Sequence, residues 1–170
     1  MKTIWFCGND EENLTTIAEI VGEELINREQ LVELIVHNEV KEIFGKGLKD
    51  TNEDKSTFID RLGFLGNLLH RNNIFALIVS CDADLKDRKL IKENYKNFIQ
   101  VETCHGTSLQ TNRDSLTDIL LDNQKDPKFN ANKVVEYLVN QKIITEKSQE
   151  VYSKEEEEEI RRRLEELGYV

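Results

Sequence analysis

Cys7, Cys81 and Cys104 each stand just after the apolar core of a strand-like segment, and His105 follows the last of them. Thiolates and imidazoles are the ligands that hold zinc in a tetrahedron, and a close thiol pair can instead be redox-active. The sequence has no Cys-x-x-Cys spacing, and cysteine is also a small, often buried apolar residue. Inert core thiols are therefore the expectation, with a metal site of Cys7, Cys81, Cys104 and His105 as the alternative. A second candidate is the stretch after Cys7. An apolar run ends at Gly8, a polar loop follows, and a helix is expected to open at Thr15-Thr16. That is where backbone N–H groups at a helix N-terminus can hold a phosphate. Here the loop carries Asp10, Glu11 and Glu12, carboxylates that suit a helix N-terminus and repel a triphosphate. Ser80, His37 and Asp82 do not form a nucleophile elbow. Asp82 and Asp84 read as turn formers and caps, His70 as a helix-terminal residue and Trp5 as core.

These residues must be positioned by alternating strands and helices, the pattern of an α/β sheet. Strands are expected at Lys2–Cys7, Leu31–Val36, Ile74–Ser80 and Phe98–Thr103, the third apolar on both faces like a central parallel strand. Helices are expected at Thr16–Leu25, Asn52–Arg71, Lys86–Asn97 and Ala131–Gln141. Residues 106–130 give weaker signals and hold the only proline, Pro127. Near the end, Ser153 and Glu156 form a capping box for a helix over 154–167, which Gly168 stops. Ile160, Leu164 and Leu167 make an apolar stripe on it, and Glu157–Arg161, Glu158–Arg162 and Glu159–Arg163 are favourable i,i+4 pairs. The division expected is residues 1–145 as one domain and 146–170 as a helical extension.

The 170 residues carry 33 acidic and 23 basic side chains, a net charge of −10, with 38% hydrophobic content. That is enough apolar surface for a core and a surface that repels nucleic acid and anionic lipid. No apolar run approaches the ~20 residues that span a bilayer. A reducing, cytoplasmic setting is expected from three scattered cysteines.

Trp5-Phe-Cys-Gly-Asn-Asp-Glu-Glu-Asn-Leu-Thr-Thr-Ile-Ala18 has the register of the opening of adenylylsulfate (APS) kinases, roughly Trp-Phe-Thr-Gly-Leu-Ser-Gly-Ser-Gly-Lys-Ser-Thr-Ile-Ala. The likeness continues through Asp60-Arg-Leu-Gly-Phe-Leu-Gly-Asn-Leu-Leu-His-Arg71, Lys86-Asp-Arg88 and Phe98-Ile-Gln-Val101. The chain thus resembles the APS kinase family over roughly residues 1–105. The resemblance implies a three-layer P-loop NTPase-like parallel sheet flanked by helices, here with a C-terminal helical extension. In that arrangement the strands ending at Cys81, Cys7 and Cys104 are neighbours in that order, with His37 ending the next strand out. The family transfers phosphate from ATP, with Mg²⁺, to the 3′-hydroxyl of adenylylsulfate. Its phosphate-loop positions fall on Gly8, Asn13, Leu14, Thr15 and Thr16, with Leu14 in place of the lysine and Thr15 left as a Mg²⁺ ligand.

Four more family motifs depart together. An Asp-Gly-Asp falls on Val36-His37-Asn38, an Asp-Arg-x-x-Asn segment on Asp54-Lys55-Ser56-Thr57-Phe58 and a Ser-Pro-Tyr-Arg on Ser80-Cys81-Asp82-Ala83. A nucleotide-contacting motif expected between 105 and 130 is not recognisable. Phosphoryl transfer depends on positioning and charge stabilisation, so joint loss points away from kinase chemistry. The expectation is a kinase-dead homologue with a binding, regulatory or scaffold role in sulfate or nucleotide metabolism. It would need no cofactor, bind neither nucleic acid nor membrane, and act with a protein partner or by self-association. The alternatives are a working adenylylsulfate kinase or related nucleotide enzyme using ATP and Mg²⁺ in a rebuilt site, and a thiol or metal site in the emptied cleft.

Overall fold

A computed structural model describes residues 2–81, 83–104, 116–146 and the helix at 154–166. Five strands form one all-parallel sheet: β1 (Thr3–Cys7), β2 (Val32–Val36), β3 (Phe75–Ser80), β4 (Phe98–Cys104) and β5 (Ile119–Asp122), in the order β2-β3-β1-β4-β5. β1 lies at the centre, with Cys7 in register with Ser80 on one side and Glu102 on the other. The expected neighbour order of the three cysteine-bearing strands is the one observed.

The helices are α1 (Glu11–Ile26), α2 (His37–Phe44), α3 (Asn52–Arg71), α4 (Leu85–Asn94), α5 (Pro127–Asn140) and α6 (Lys154–Glu166). Strand alternation divides the core into two layers. Ile4, Phe6, Leu77, Val79 and Val101 face α1 and α5. Trp5, Cys7 and Ile78 face α2, α3 and α4. Trp5 is core as expected, with its ring centroid 5.9 Å from that of Phe98.

The structure departs from expectation at several points. α1 begins at Glu11, not near Thr15-Thr16: Asp10 caps it, accepting from the Asn13 N–H at 3.1 Å. No glycine between residues 9 and 14 opens the backbone into a wide loop, and the acidic residues favour a helix start. His37 does not end a strand; it opens α2, whose Val40 and Phe44, four residues apart, pack on the second core layer. β5 was not foreseen because its alternating four residues are too short for a periodic signal. α5 starts at Pro127 rather than Ala131, since proline is at home in a first helical turn after an aspartate cap. On α6, Glu159 pairs with Arg163, but Arg161 and Arg162 pair forward with Glu165 and Glu166. The side chains of Glu157, Ile160 and Leu164, and residues Ser153, Leu167 and Gly168, lie outside what the structure describes.

α3 reaches the sheet through Gly66. A Cβ at Gly66 would stand 2.8 Å from Thr3 Cγ2 and 2.9 Å from Ile78 Cδ1, and Thr3 Oγ1 donates to the Gly66 carbonyl at 3.0 Å. Gly66→Ala should therefore push α3 off the sheet and destabilise by about 1–3 kcal/mol, the usual range for overpacking. Thermal melting checks this: a midpoint unchanged from the parent would contradict the close approach.

Candidate functional site

The carboxyl edge of the sheet, where ligands of open α/β folds bind, is built from the ends of β1, β3 and β4 and the start of α1. Gly8 leaves β1, and only Asn9 separates it from the capping Asp10. The space above Gly8 is filled. A Cβ there would lie 2.1 Å from Thr103 Oγ1 and 3.4 Å from Leu14 Cδ1. Leu14 is 0% exposed and belongs to the first core layer. Asn13, half-buried, uses its side-chain amide toward Asn123 Oδ1 at 3.5 Å. The Thr15 hydroxyl donates to the Glu11 carbonyl at 2.7 Å and that of Thr16 to the Glu12 carbonyl at 3.0 Å, so both satisfy the helix rather than pointing free into a loop. Glu11 Oε1 accepts from Asn38 Nδ2 at 2.7 Å, joining α1 to α2.

The cysteines do not converge on one point. Cys7 is buried in the layer under α2 and α3, whereas Cys81 packs against the opposite layer. Cys104, at the end of β4, donates its thiol toward the Leu121 carbonyl at 3.5 Å. All three are thiols rather than disulfides. Among the described residues no three histidine, cysteine or acidic side chains are grouped to hold a metal ion, and His105 lies outside those residues. Burial pushes the Cys104 pKa above its ordinary value, and the carboxylates of Asp122 and Glu102 add to this against a smaller opposing effect of Lys133.

A row of buried polar groups crosses the same edge, and sequence reading did not find it. His37 Nδ1 lies 3.1 Å from Ser80 Oγ, with the imidazole tilted at 50° against the Phe58 ring at 4.5 Å between centroids. Beyond Cys7 in the row, Arg88 reaches from α4 to Gln100 Oε1 (3.2 Å), Glu102 Oε2 (3.3 Å) and Thr117 Oγ1 (3.0 Å). Thr117 donates to the same Glu102 oxygen at 2.6 Å. Lys92 binds Asp118 at 3.1 Å and the Leu116 carbonyl at 2.7 Å. The signal that was available is parity: Cys7, Ser80 and Glu102 share one register line. Asp54, in the segment aligned with a substrate-holding motif, instead accepts from the Lys49 N–H and the Thr51 hydroxyl at the start of α3.

The adenylylsulphate kinase family profile matches residues 1–118. The chain belongs to that family. An adenylyl-sulfate kinase of Deinococcus deserti is 29% identical over 113 residues, 66% of this chain and 62% of that protein. One of Rippkaea orientalis is 32% identical over 101 residues, 58% of this chain and 55% of its own length. The chain thus spans little more than half the length of these relatives. The solved structure of a Mycobacterium tuberculosis APS kinase in complex with AMPPNP and APS superposes with a TM-score of 0.70 at 16% identity, covering 81% of this chain and 96% of that one. The shared fold is the P-loop kinase sheet. No helix among the described residues is long and apolar enough to cross a membrane.

Two outcomes follow from this geometry. Asp10→Ala removes the acceptor for the Asn13 N–H and should lower stability by about 1 kcal/mol, read from denaturant midpoints. A loss near zero would mean that the cap is not made. Because its folded pKa is raised, the Cys104 thiol keeps its proton where the unfolded chain has begun to lose it. The associated stability is present below the unfolded value and falls as pH rises through the folded one. Iodoacetamide labelling of Cys104 at pH 8 should be slower than in the denatured chain; equal rates would contradict the shift.

Proposed function

We propose that this chain is a member of the adenylylsulphate kinase family that has given up phosphoryl transfer and acts as a binding, regulatory or scaffold protein. The observation that carries this reading is the start of α1. Where a phosphate loop would leave its N–H groups open, the helix already runs from Glu11 and the Asp10 carboxylate accepts from the Asn13 N–H. A triphosphate entering there would meet Asp10, Glu11 and Glu12 instead of a lysine. The position aligned with that lysine, Leu14, is sealed in the core. Arg88, the guanidinium held at the edge of the cleft, is engaged by Gln100, Glu102 and Thr117. A protein partner or a second copy of the chain fits this role better than an anionic nucleotide.

Calorimetric titration at low ionic strength, where charge repulsion is least screened, tests the reading. ATP·Mg²⁺ and adenylylsulfate should each give no heat of specific binding. A dissociation constant in the low micromolar range for either, or transfer of the γ-phosphate to adenylylsulfate, would overturn it. Leu14→Lys should not restore turnover. It buries an ammonium among apolar groups, so the melting temperature should fall while the loop carboxylates remain.

A further inference from the structure

The two edge strands of the sheet are not equally closed. β5 is four residues long, and the Lys133 ammonium donates to its Leu120 carbonyl at 3.3 Å. β2, at the other end of the strand order, has five residues and neither proline nor lysine, two of the usual means of blunting an edge. The Phe75 N–H donates to the Leu31 carbonyl at 2.8 Å, with Val32 in register with Phe75 and Leu34 with Leu77. Backbone groups of successive residues in a parallel strand point to alternate sides, so Leu31, Glu33 and Ile35 bond to β3. Val32 and Leu34 therefore turn their N–H and C=O groups outward. Among the described residues nothing bonds to them there.

The side chains along this edge state what a further strand would have to carry. Val32 and Leu34 lie half-buried on the α1 side of the sheet, where a Cβ on Gly22 would stand 3.7 Å from Val32 Cγ1. On the opposite side Leu31 is 64% exposed, and Glu33 is exposed with no ion pair among the described residues. A residue directly opposite Glu33 on an added strand would have its Cβ about 4.5–5.5 Å away, where unlike charges attract and like charges repel. That condition disfavours a second copy. In a two-fold antiparallel pair of β2 strands, the register centred on residue 33 sets one Glu33 against the other, and the register centred on Leu34 sets it against Ile35. Either would also join two chains of net charge −10. A foreign segment with a cation at this position meets the condition.

We propose that the free edge of β2 takes up an extended segment of another protein as a sixth strand, with a lysine or arginine opposite Glu33 and an apolar residue on either side of it, opposite Val32 and Leu34. The inference does not depend on the state of the nucleotide site. A random twelve-residue peptide library selected on the immobilised full chain supplies the probe, and a synthetic copy of a selected peptide is titrated by fluorescence anisotropy. Selected peptides should carry a basic residue between two apolar ones. Glu33→Lys should weaken binding about tenfold or more, and exchanging the peptide's basic residue for glutamate should restore it. Glu136→Lys, the same change of charge beside β5, should leave the affinity unchanged. N-methylation of alternate peptide amides should abolish binding in one phase of the alternation and spare it in the other. The Val32 and Leu34 amides should exchange freely in the chain alone and gain about tenfold or more protection when the peptide saturates it. Failure to select any peptide, an affinity indifferent to Glu33→Lys or lowered equally by Glu136→Lys, or loss of binding in both phases of methylation would each overturn the proposal. So would Val32 and Leu34 amides already protected in the free chain, which together with a mass of two chains would assign the edge to self-pairing.

Discussion

The structure depends most on the burial of β1. It is the central strand of the sheet, paired in parallel with β3 on one edge and β4 on the other, and all five of its residues are buried. A strand bonded along both edges and covered on both faces tolerates no polar face, and Thr3-Ile-Trp-Phe-Cys7 meets that condition, with the Thr3 hydroxyl donating to the Gly66 carbonyl. From this constraint follow the close approach of α3 at Gly66 and the division of the cysteines between two layers. The turn at Gly8, where side chains from β4 and α1 press close, follows from it as well.

At the carboxyl edge the same constraint holds, and the start of α1 there is acidic, with Asp10, Glu11 and Glu12 in succession. A phosphate-binding turn needs open N–H groups, small residues and a mobile cation. Here Asn9 alone stands between Gly8 and the cap, the helix begins at once, and a carboxylate of the chain accepts from the helix N-terminus. The arrangement is favourable for folding, because a capped helix with Glu11 and Glu12 in its first turn is more stable than an uncapped one. Several polar side chains are engaged within the structure: the threonine hydroxyls on the helix backbone, Asp54 on the start of α3, and Arg88 in a network with Glu102 and Thr117.

That network also explains how the second half of the sheet is held. β5 is short, and its partner β4 is secured to α4 and to residues 116–118 by Arg88 and Lys92. A buried guanidinium needs every partner it has, since removing one leaves charge uncompensated in a poorly solvated place. The polar row from His37 through Ser80 to Arg88 is therefore a structural belt under α2, α3 and α4, at the edge where the fold family binds ligands.

The sequence by itself determined the alternation of strands and helices, because long apolar runs such as Phe75–Ser80 and the helical period of Asn52–Arg71 are local signals with few alternatives, while the order of the strands ending at Cys81, Cys7 and Cys104 was implied by the family resemblance. The resemblance also aligned Asn13 and Leu14 with phosphate-loop positions. Short elements were not legible: β5 and α2 hold too few residues to express a period, and both exist because the neighbouring strands give their apolar sides somewhere to pack. Only the tertiary structure decided the fate of the cysteines. Three strand ends that read as neighbours in sequence carry side chains with opposite parity, so Cys7 and Cys81 lie on opposite sides of the sheet. Only it decided that Leu14 points into the core, that Asp10 lies on the helix N-terminus, and that Ser80 meets His37. Each of these rests on the direction of a side chain from a backbone whose register is set by residues far away in the chain, and no local pattern carries that information.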